Sequence, residues 1–211
     1  WQVLDQQEDI VGSVQWPLSG LHNRQNALAA LLAARHAGVP LARGLTALSR
    51  FKNVKRRMER RGQVDGVTVY DDFAHHPTAI ATTVDGLREK ERAGRILAVL
   101  EPRSNTMKLG VMKAALPDSL TKADLVFCYA AGLGWDAASA LAPLGEKAVV
   151  EDDLERLVER VVDHAGAGDH ILVMSNGGFG GIHDKLLAAL RERAAQRRSA
   201  QEVIGEQCGE E

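Results

Sequence analysis

Three short strings hold most of the residues able to do chemistry. The first, Tyr70-Asp71-Asp72-Phe73-Ala74-His75-His76-Pro77-Thr78, crowds carboxylates and imidazoles into one turn. Pro77 and Thr78 suit the first turn of a helix, whose free N–H groups and positive dipole end attract an anion such as phosphate or carboxylate. The string reads as an anion-handling corner, with an Asx-type turn and a solvated histidine pair as the structural alternative. No metal centre is expected, because no third and fourth ligand stand at a recognisable spacing. The second string runs from Glu101 through Pro102, Arg103, Ser104, Asn105, Thr106 and Met107 to Lys108. Its polar groups could hydrogen-bond a carboxylate-bearing ligand, and the planar guanidinium of Arg103 is the obvious fork. The alternative is a loop capped by Ser104 or Asn105 ahead of a helix.

The third string, Ser175-Asn176-Gly177-Gly178-Phe179-Gly180-Gly181-Ile182-His183, has four glycines in five residues. Such a run is costly in chain entropy and leaves backbone open to a ligand. Its spacing matches neither GxGxxG nor GxxxxGK[ST], so it is no dinucleotide or P-loop signature. Nearer the start, Gly20-Leu21-His22-Asn23-Arg24-Gln25-Asn26 opens a helix with amide and imidazole groups. A helix start explains Asn23 as well as nucleotide contact does. The basic run Lys55, Arg56, Arg57, Arg60 and Arg61 reads as a solvated face, or as a source of one arginine for a polyphosphate. Trp135, His36, His164 and His170 read as packing or surface residues.

The elements that must position these strings follow from hydrophobic period. Leucines at helical spacing predict a helix over residues 21–37, stopped by Gly38 and Pro40, and a second over 41–48. From Val67 onward, short β-branched runs (67–70, 96–100, 125–129, 148–150, 171–174) alternate with helical segments (77–90, 107–120, 154–164, 182–193). That alternation predicts a doubly wound α/β domain with a mostly parallel sheet, whose ligand crevice lies at the carboxyl ends of the strands. All three strings directly follow a predicted strand. Residues 194–211 are charged and without apolar period, and are expected to fray and become disordered.

The chain has 211 residues, 45% hydrophobic and 26% charged, enough for one good core and a smaller appendage. A net charge of -2 and a pI near 6.4 offer no basic excess for a polyanion, so no nucleic acid is expected. Cys128 and Cys208 are too few and too far apart for a disulfide framework, and a cytoplasmic setting is expected. No run approaches the roughly 18 apolar residues of a membrane helix, so no membrane partner is expected. The chain opens on Trp1 and reads from the start as the interior of a strand-rich region, which suggests a piece of a longer chain.

Together these strings resemble the Mur ligase family, ATP-dependent enzymes that add amino acids or peptides to UDP-N-acetylmuramic acid. His22, Asn23 and Asn26 before an alanine-rich helix look like the end of the family's central ATPase domain. Arg56 and Arg57 look like its exit, and Asp72-Phe73-Ala74-His75 like the opening of its last domain. The likeness implies a remnant of the central domain with its linker at 1–60, the C-terminal domain at 61–193 and a tail at 194–211. Within the family, DDFAHHPTAI, LEPRSNTMK and HILVMSNGGFGGIH are most similar to members that attach the tripeptide L-alanyl-γ-D-glutamyl-meso-diaminopimelate to UDP-N-acetylmuramate in recycling. Members that add L-alanine share the first string but usually carry a PH-x-[YF]-x-R type second one.

The resemblance implies that ATP and Mg2+ activate the muramate carboxylate as an acyl phosphate, which the peptide amine attacks. Asp72 and His75 would face that centre as catalytic groups. His22, Asn23, Asn26 and Arg57 would border the nucleotide. Arg103, Ser104, Asn105 and Thr106, with Ser175, Asn176, Gly177, Gly178 and Phe179, would hold the peptide. The chain lacks GxxxxGK[ST] and the UDP-sugar domain, so its partners would include the missing N-terminal and central domains of the same enzyme, and alone it is expected to be inactive. Two rivals stand beside this expectation: an L-alanine-adding ligase, and a non-catalytic module that binds a peptide or nucleotide. A nicotinamide-binding domain is disfavoured because no GxGxxG follows the first strand.

Overall fold

The computed structural model describes residues 1–207 other than Pro17 and Ser19, with side chains described as far as residue 200. The chain divides into two compact units, residues 1–55 and residues 56 onward. In the first, strands β1 (Gln2–Leu4) and β2 (Ile10–Ser13) pair antiparallel. Helices α1 (Leu21–His36) and α2 (Leu41–Ser49) follow. Gly38, in the left-handed region at φ 86°, and Pro40 separate the two helices, as their sequence suggests. Val3, Val14, Leu31 and Leu45 form the small core, with Trp1 and Trp16 packed beside it.

The second unit is built on a six-stranded sheet in the order β3-β4-β8-β5-β6-β7. Its strands are β3 (Glu59–Val64), β4 (Val67–Asp72), β5 (Ile96–Leu100), β6 (Leu125–Tyr129), β7 (Ala148–Glu151) and β8 (His170–Met174). β4 to β8 are parallel, and β3 runs antiparallel at the edge. Its helices are α3 (Pro77–Lys90), α4 (Asn105–Lys108), α5 (Leu116–Ser119), α6 (Ala137–Leu141), α7 (Leu154–His164) and α8 (Ile182–Gln207). β4, β5 and β8 are buried along their whole length, which is why they read as near-continuous apolar runs.

Side chains alternate between two cores. Tyr70, Ala98, Leu100, Leu172 and Met174 meet Ile80, Val84 and Leu87 of α3 with Leu116 and Leu141. Val69, Leu97, Val99, Phe127, Ile171 and Val173 meet Leu157 and Val161 of α7 and Leu186 and Leu190 of α8. Burying each such side chain stabilises by roughly 1.5–3 kcal/mol, against about 0–1 for an exposed ion pair. The packed sheet, rather than loop contacts, therefore fixes the spacing of the strand ends.

The chain passes from β4 to β5, β6 and β7, then returns to insert β8 between β4 and β5. This reversal puts the carboxyl ends of β4, β8 and β5 side by side, at the place where such sheets bind ligands.

Three elements differ from expectation. The helix expected over 107–120 is broken into α4, a 3-10 turn at Lys113–Ala115 and α5. Gly110 turns left-handed at φ 72°, and Pro117, lacking an N–H, sits in the first turn of a new helix. The end of the basic run, exposed at Arg60 and Arg61 as a solvated face should be, also forms edge strand β3, which the sequence did not predict because its charged residues hide its pairing with β4. The charged tail continues α8 as far as Gln207, and the disorder expected for 208–211 lies outside the described residues.

Candidate functional site

The two adjacent aspartates at the end of β4 point to opposite faces of the sheet, as the two-residue period requires. Asp72 is 3% exposed. Its Oδ1 accepts from the Ala74 N–H at 2.8 Å and from the Thr83 hydroxyl of α3 at 3.3 Å, and its Oδ2 accepts from the Met58 N–H at 2.8 Å. Burial pushes the Asp72 carboxyl above the ordinary range, while the two backbone N–H groups, Arg57 and Thr83 pull it partly back. These bonds make Asp72 the anchor of the turn that presents His75 and His76. His75 Nδ1 lies 2.9 Å from the Phe73 carbonyl oxygen, and its ring centroid is 4.1 Å from that of His76, which precedes α3. His76 Nδ1 is buried without a hydrogen-bond partner.

Asp71, 2% exposed, faces α8. Around it stand Arg56 Nε at 3.4 Å, Arg61 at 3.7 Å and His183 Nε2 at 3.3 Å. Burial lowers the His183 pKa, Asp71 raises it, and Arg61 and Arg56 lower it again, leaving it below the ordinary histidine value. The two arginines are the permanent positive charges beside Asp71.

The β8 loop ties the three strand ends together. Ser175 N–H donates to the Asp72 carbonyl at 3.2 Å, and Glu101 N–H donates to the Met174 carbonyl at 3.1 Å. The Ser175 hydroxyl donates to Glu101 Oε2 at 2.6 Å and accepts from Gly177 N–H at 2.9 Å. One terminal nitrogen of Arg56 donates to the carbonyls of Ser175 at 2.6 Å and Gly177 at 2.8 Å. Arg103 lies against the same loop: a Cβ on Gly177 would come within 2.3 Å of a guanidinium nitrogen, so a larger residue there would displace the Arg103 side chain. Asn176 Oδ1 is buried with no partner.

The predicted site residues fall into several roles. Arg103, Asn105, Thr106 and Gly178 are exposed around this cluster. The Ser104 hydroxyl accepts from the Met107 N–H at 3.3 Å, so it caps α4. The Phe179 side chain is 1% exposed and packs 5.7 Å from the Tyr129 ring, although its backbone is left-handed at φ 44°. What Phe179 can offer a ligand is its main chain. His22, Asn23 and Asn26 lie at the start of α1 in the first unit, whereas Arg57 lies in the second, with its guanidinium 5.6 Å from the Phe73 ring centroid. Trp135 packs as expected, its Nε1–H bonded to the Met107 carbonyl at 2.6 Å.

Arg56, Asp71, Glu101 and His183 are central to the cluster but are not among the predicted site residues. The two-residue alternation of β4 was the available signal for Asp71; no sequence pattern marks Arg56 apart from Arg57. The chain has no phosphate-cradling GxxxxGK[ST] loop. Among the described residues, no three or more His, Cys, Asp or Glu side chains gather as metal ligands.

A mostly parallel sheet with polar loops gathered at its reversal point defines a doubly wound α/β domain. The family profile described as "Mur ligase, glutamate ligase domain" matches residues 56–177, more than half of the chain, and the chain belongs to the Mur ligase family. It is 52% identical over 196 residues to the UDP-N-acetylmuramate–L-alanyl-gamma-D-glutamyl-meso-2,6-diaminoheptandioate ligase of Escherichia coli K12, covering 92% of this chain and 43% of that protein. It is 35% identical to the UDP-N-acetylmuramate–L-alanine ligase of Paracoccus denitrificans, over 85% of this chain and 40% of that one. A crystal structure of a murein peptide ligase from Psychrobacter arcticus superposes with a TM-score of 0.67 at 44% identity, covering 84% of this chain and 38% of that one. The chain thus spans less than half the length of each of these relatives.

Proposed function

We propose that this chain is part of an ATP-dependent, ADP-forming amide ligase that joins UDP-N-acetylmuramate to L-alanyl-γ-D-glutamyl-meso-diaminopimelate in peptidoglycan recycling. Its second unit would be the domain that holds the amine substrate. The observation that carries this reading is the meeting of the Asp72, Arg103 and Ser175–Gly178 segments at three adjacent strand ends. Arg103 would pair with a peptide carboxylate, bidentate where geometry allows. Main-chain N–H groups of the glycine loop would orient the peptide, and His75 would stand at the edge of the reacting centre. Asp72 would fix the turn that carries His75. The chain's contribution to the reaction is alignment of the amine, worth a large part of the barrier in two-substrate reactions.

The 52% identity to the tripeptide ligase, against 35% to an L-alanine ligase, favours the tripeptide as the amine. ATP, Mg2+ and UDP-N-acetylmuramate belong to the proposal for the whole enzyme, in which residues outside this chain would bind them and His22, Asn23, Asn26 and Arg57 would border the nucleotide. A cytoplasmic location, where nucleotide-sugar precursors and ATP coexist, is part of the same proposal. ADP release by the whole enzyme, supplied with ATP, Mg2+ and UDP-N-acetylmuramate, tests it. Turnover with the tripeptide and none with L-alanine is expected; turnover with L-alanine alone would move the chain to the alanine-adding branch.

A further inference from the structure

We propose that Arg56 is the positioning residue that orients the Ser175–Gly178 loop, holding the N–H groups of Asn176 and Gly178 as donors for a carboxylate of the amine substrate. The inference rests on the ligase reading above for the identity of that substrate, but not for the geometry. A single Arg56 nitrogen draws in the carbonyls of both Ser175 and Gly177, at 2.6 and 2.8 Å. In a trans peptide the C=O of one residue and the N–H of the next point in opposite directions, and the described chain contains no cis bond. Fixing those two carbonyls on Arg56 therefore turns the N–H groups of Asn176 and Gly178 away from it. Neither N–H has an acceptor among the described residues, whereas the intervening Gly177 N–H is bonded to the Ser175 hydroxyl. Arg103 lies against the Cβ side of Gly177. Two unbonded amides beside a guanidinium suit a carboxylate.

Arg56 is itself held from several sides. Its N–H donates to Glu59 Oε2 at 2.9 Å, its carbonyl accepts from Phe73 N–H at 2.8 Å, and its Nε lies 3.4 Å from Asp71 Oδ1. Its guanidinium also lies over the Phe73 ring, with 5.2 Å to the centroid. These contacts keep a non-glycine residue at φ 58°, a conformation that persists only where the surroundings impose it. The arrangement needs the planar guanidinium: a lysine would keep the charge beside Asp71 but lose the fork that serves Asp71 and the loop carbonyls at once.

The test is NMR of the 15N-labelled 211-residue chain carrying Arg56→Lys or Arg56→Gln, titrated with L-alanyl-γ-D-glutamyl-meso-diaminopimelate. We expect a retained, dispersed spectrum for at least one variant, amide shift changes concentrated at residues 176–178, and tripeptide binding weakened about ten- to a hundredfold. Unchanged 176–178 amides with unchanged Kd would overturn the proposal. Loss of the fold in both variants would also overturn it, since Arg56 would then be a stability residue. If the wild-type chain binds no tripeptide while the variants still move the 176–178 amides, the carboxylate role given to the loop is overturned, whereas the ligase reading stands or falls on ADP release by the whole enzyme.

Discussion

Asp72 and Asp71 are neighbours in sequence with unlike tasks, and the difference comes from the face of β4 each occupies. Asp72 accepts two backbone N–H groups and a hydroxyl, so its removal leaves buried donors unsatisfied, each costing about 1–3 kcal/mol. Asp72→Ala should therefore lower unfolding free energy by roughly 2–4 kcal/mol, with Asp72→Asn, which keeps one acceptor, losing less. Urea denaturation of the two variants checks this, and an unchanged midpoint for the alanine variant would contradict it. The sequence marks this turn as chemically dense, but one string cannot say which carboxylate is held by backbone and which by arginines. That distinction needs the partners Thr83 and His183, which arrive from α3 and α8, far along the chain.

At the scale of elements, the end of the sheet opposite the candidate site is pinned by Asp169, just before β8, and Arg95, just before β5. Arg95 reaches Asp169 Oδ2 at 2.6 Å, and the Gly166 N–H donates to the same oxygen at 2.7 Å. Burial pushes the Asp169 carboxyl up, but the bonds from Arg95 and Gly166 outweigh it and hold the carboxyl below the ordinary range. A depressed carboxyl contributes stability above its unfolded pKa of about 3.9 and loses it as pH falls through the folded value. Urea midpoints of wild type and Asp169→Asn should differ at pH 7 and converge toward pH 3; an equal gap at both would contradict this. The strands β4, β5, β6 and β8 and the helices α3 and α7 were legible because apolar period and β-branched runs report burial directly. β3 was not, since an edge strand of charged residues carries no such period. The 107–120 segment misled because its apolar residues meet the core from short turns, broken at Gly110 and Pro117.

For the whole molecule, the two units are unequal. The second holds two large cores, one on each face of its sheet, while among the described residues the first has a small cluster of Val3, Val14, Leu31 and Leu45. The first unit also exposes Ile10, Leu21, Leu28 and Leu32. A chain beginning at Arg56 is expected to fold alone, with one cooperative thermal transition and circular dichroism of a mixed α/β domain; absence of a cooperative transition would contradict the division. The chain spans 43% of the length of its Escherichia coli relative.

The measurement that tests the central claim most directly is the kinetic effect of Arg103→Ala in the whole enzyme. Arg103 is exposed and lies on the glycine loop, so its loss should leave the fold intact. Losing a charge-assisted pair of about 1.5–3 kcal/mol should raise the KM for the tripeptide roughly 10- to 100-fold. The KM values for ATP and UDP-N-acetylmuramate should stay within about twofold, because removing contacts to one substrate leaves uniform binding of the others. An unchanged tripeptide KM, or an equal rise for all three substrates, would contradict the assignment of these strand-end loops to the amine substrate.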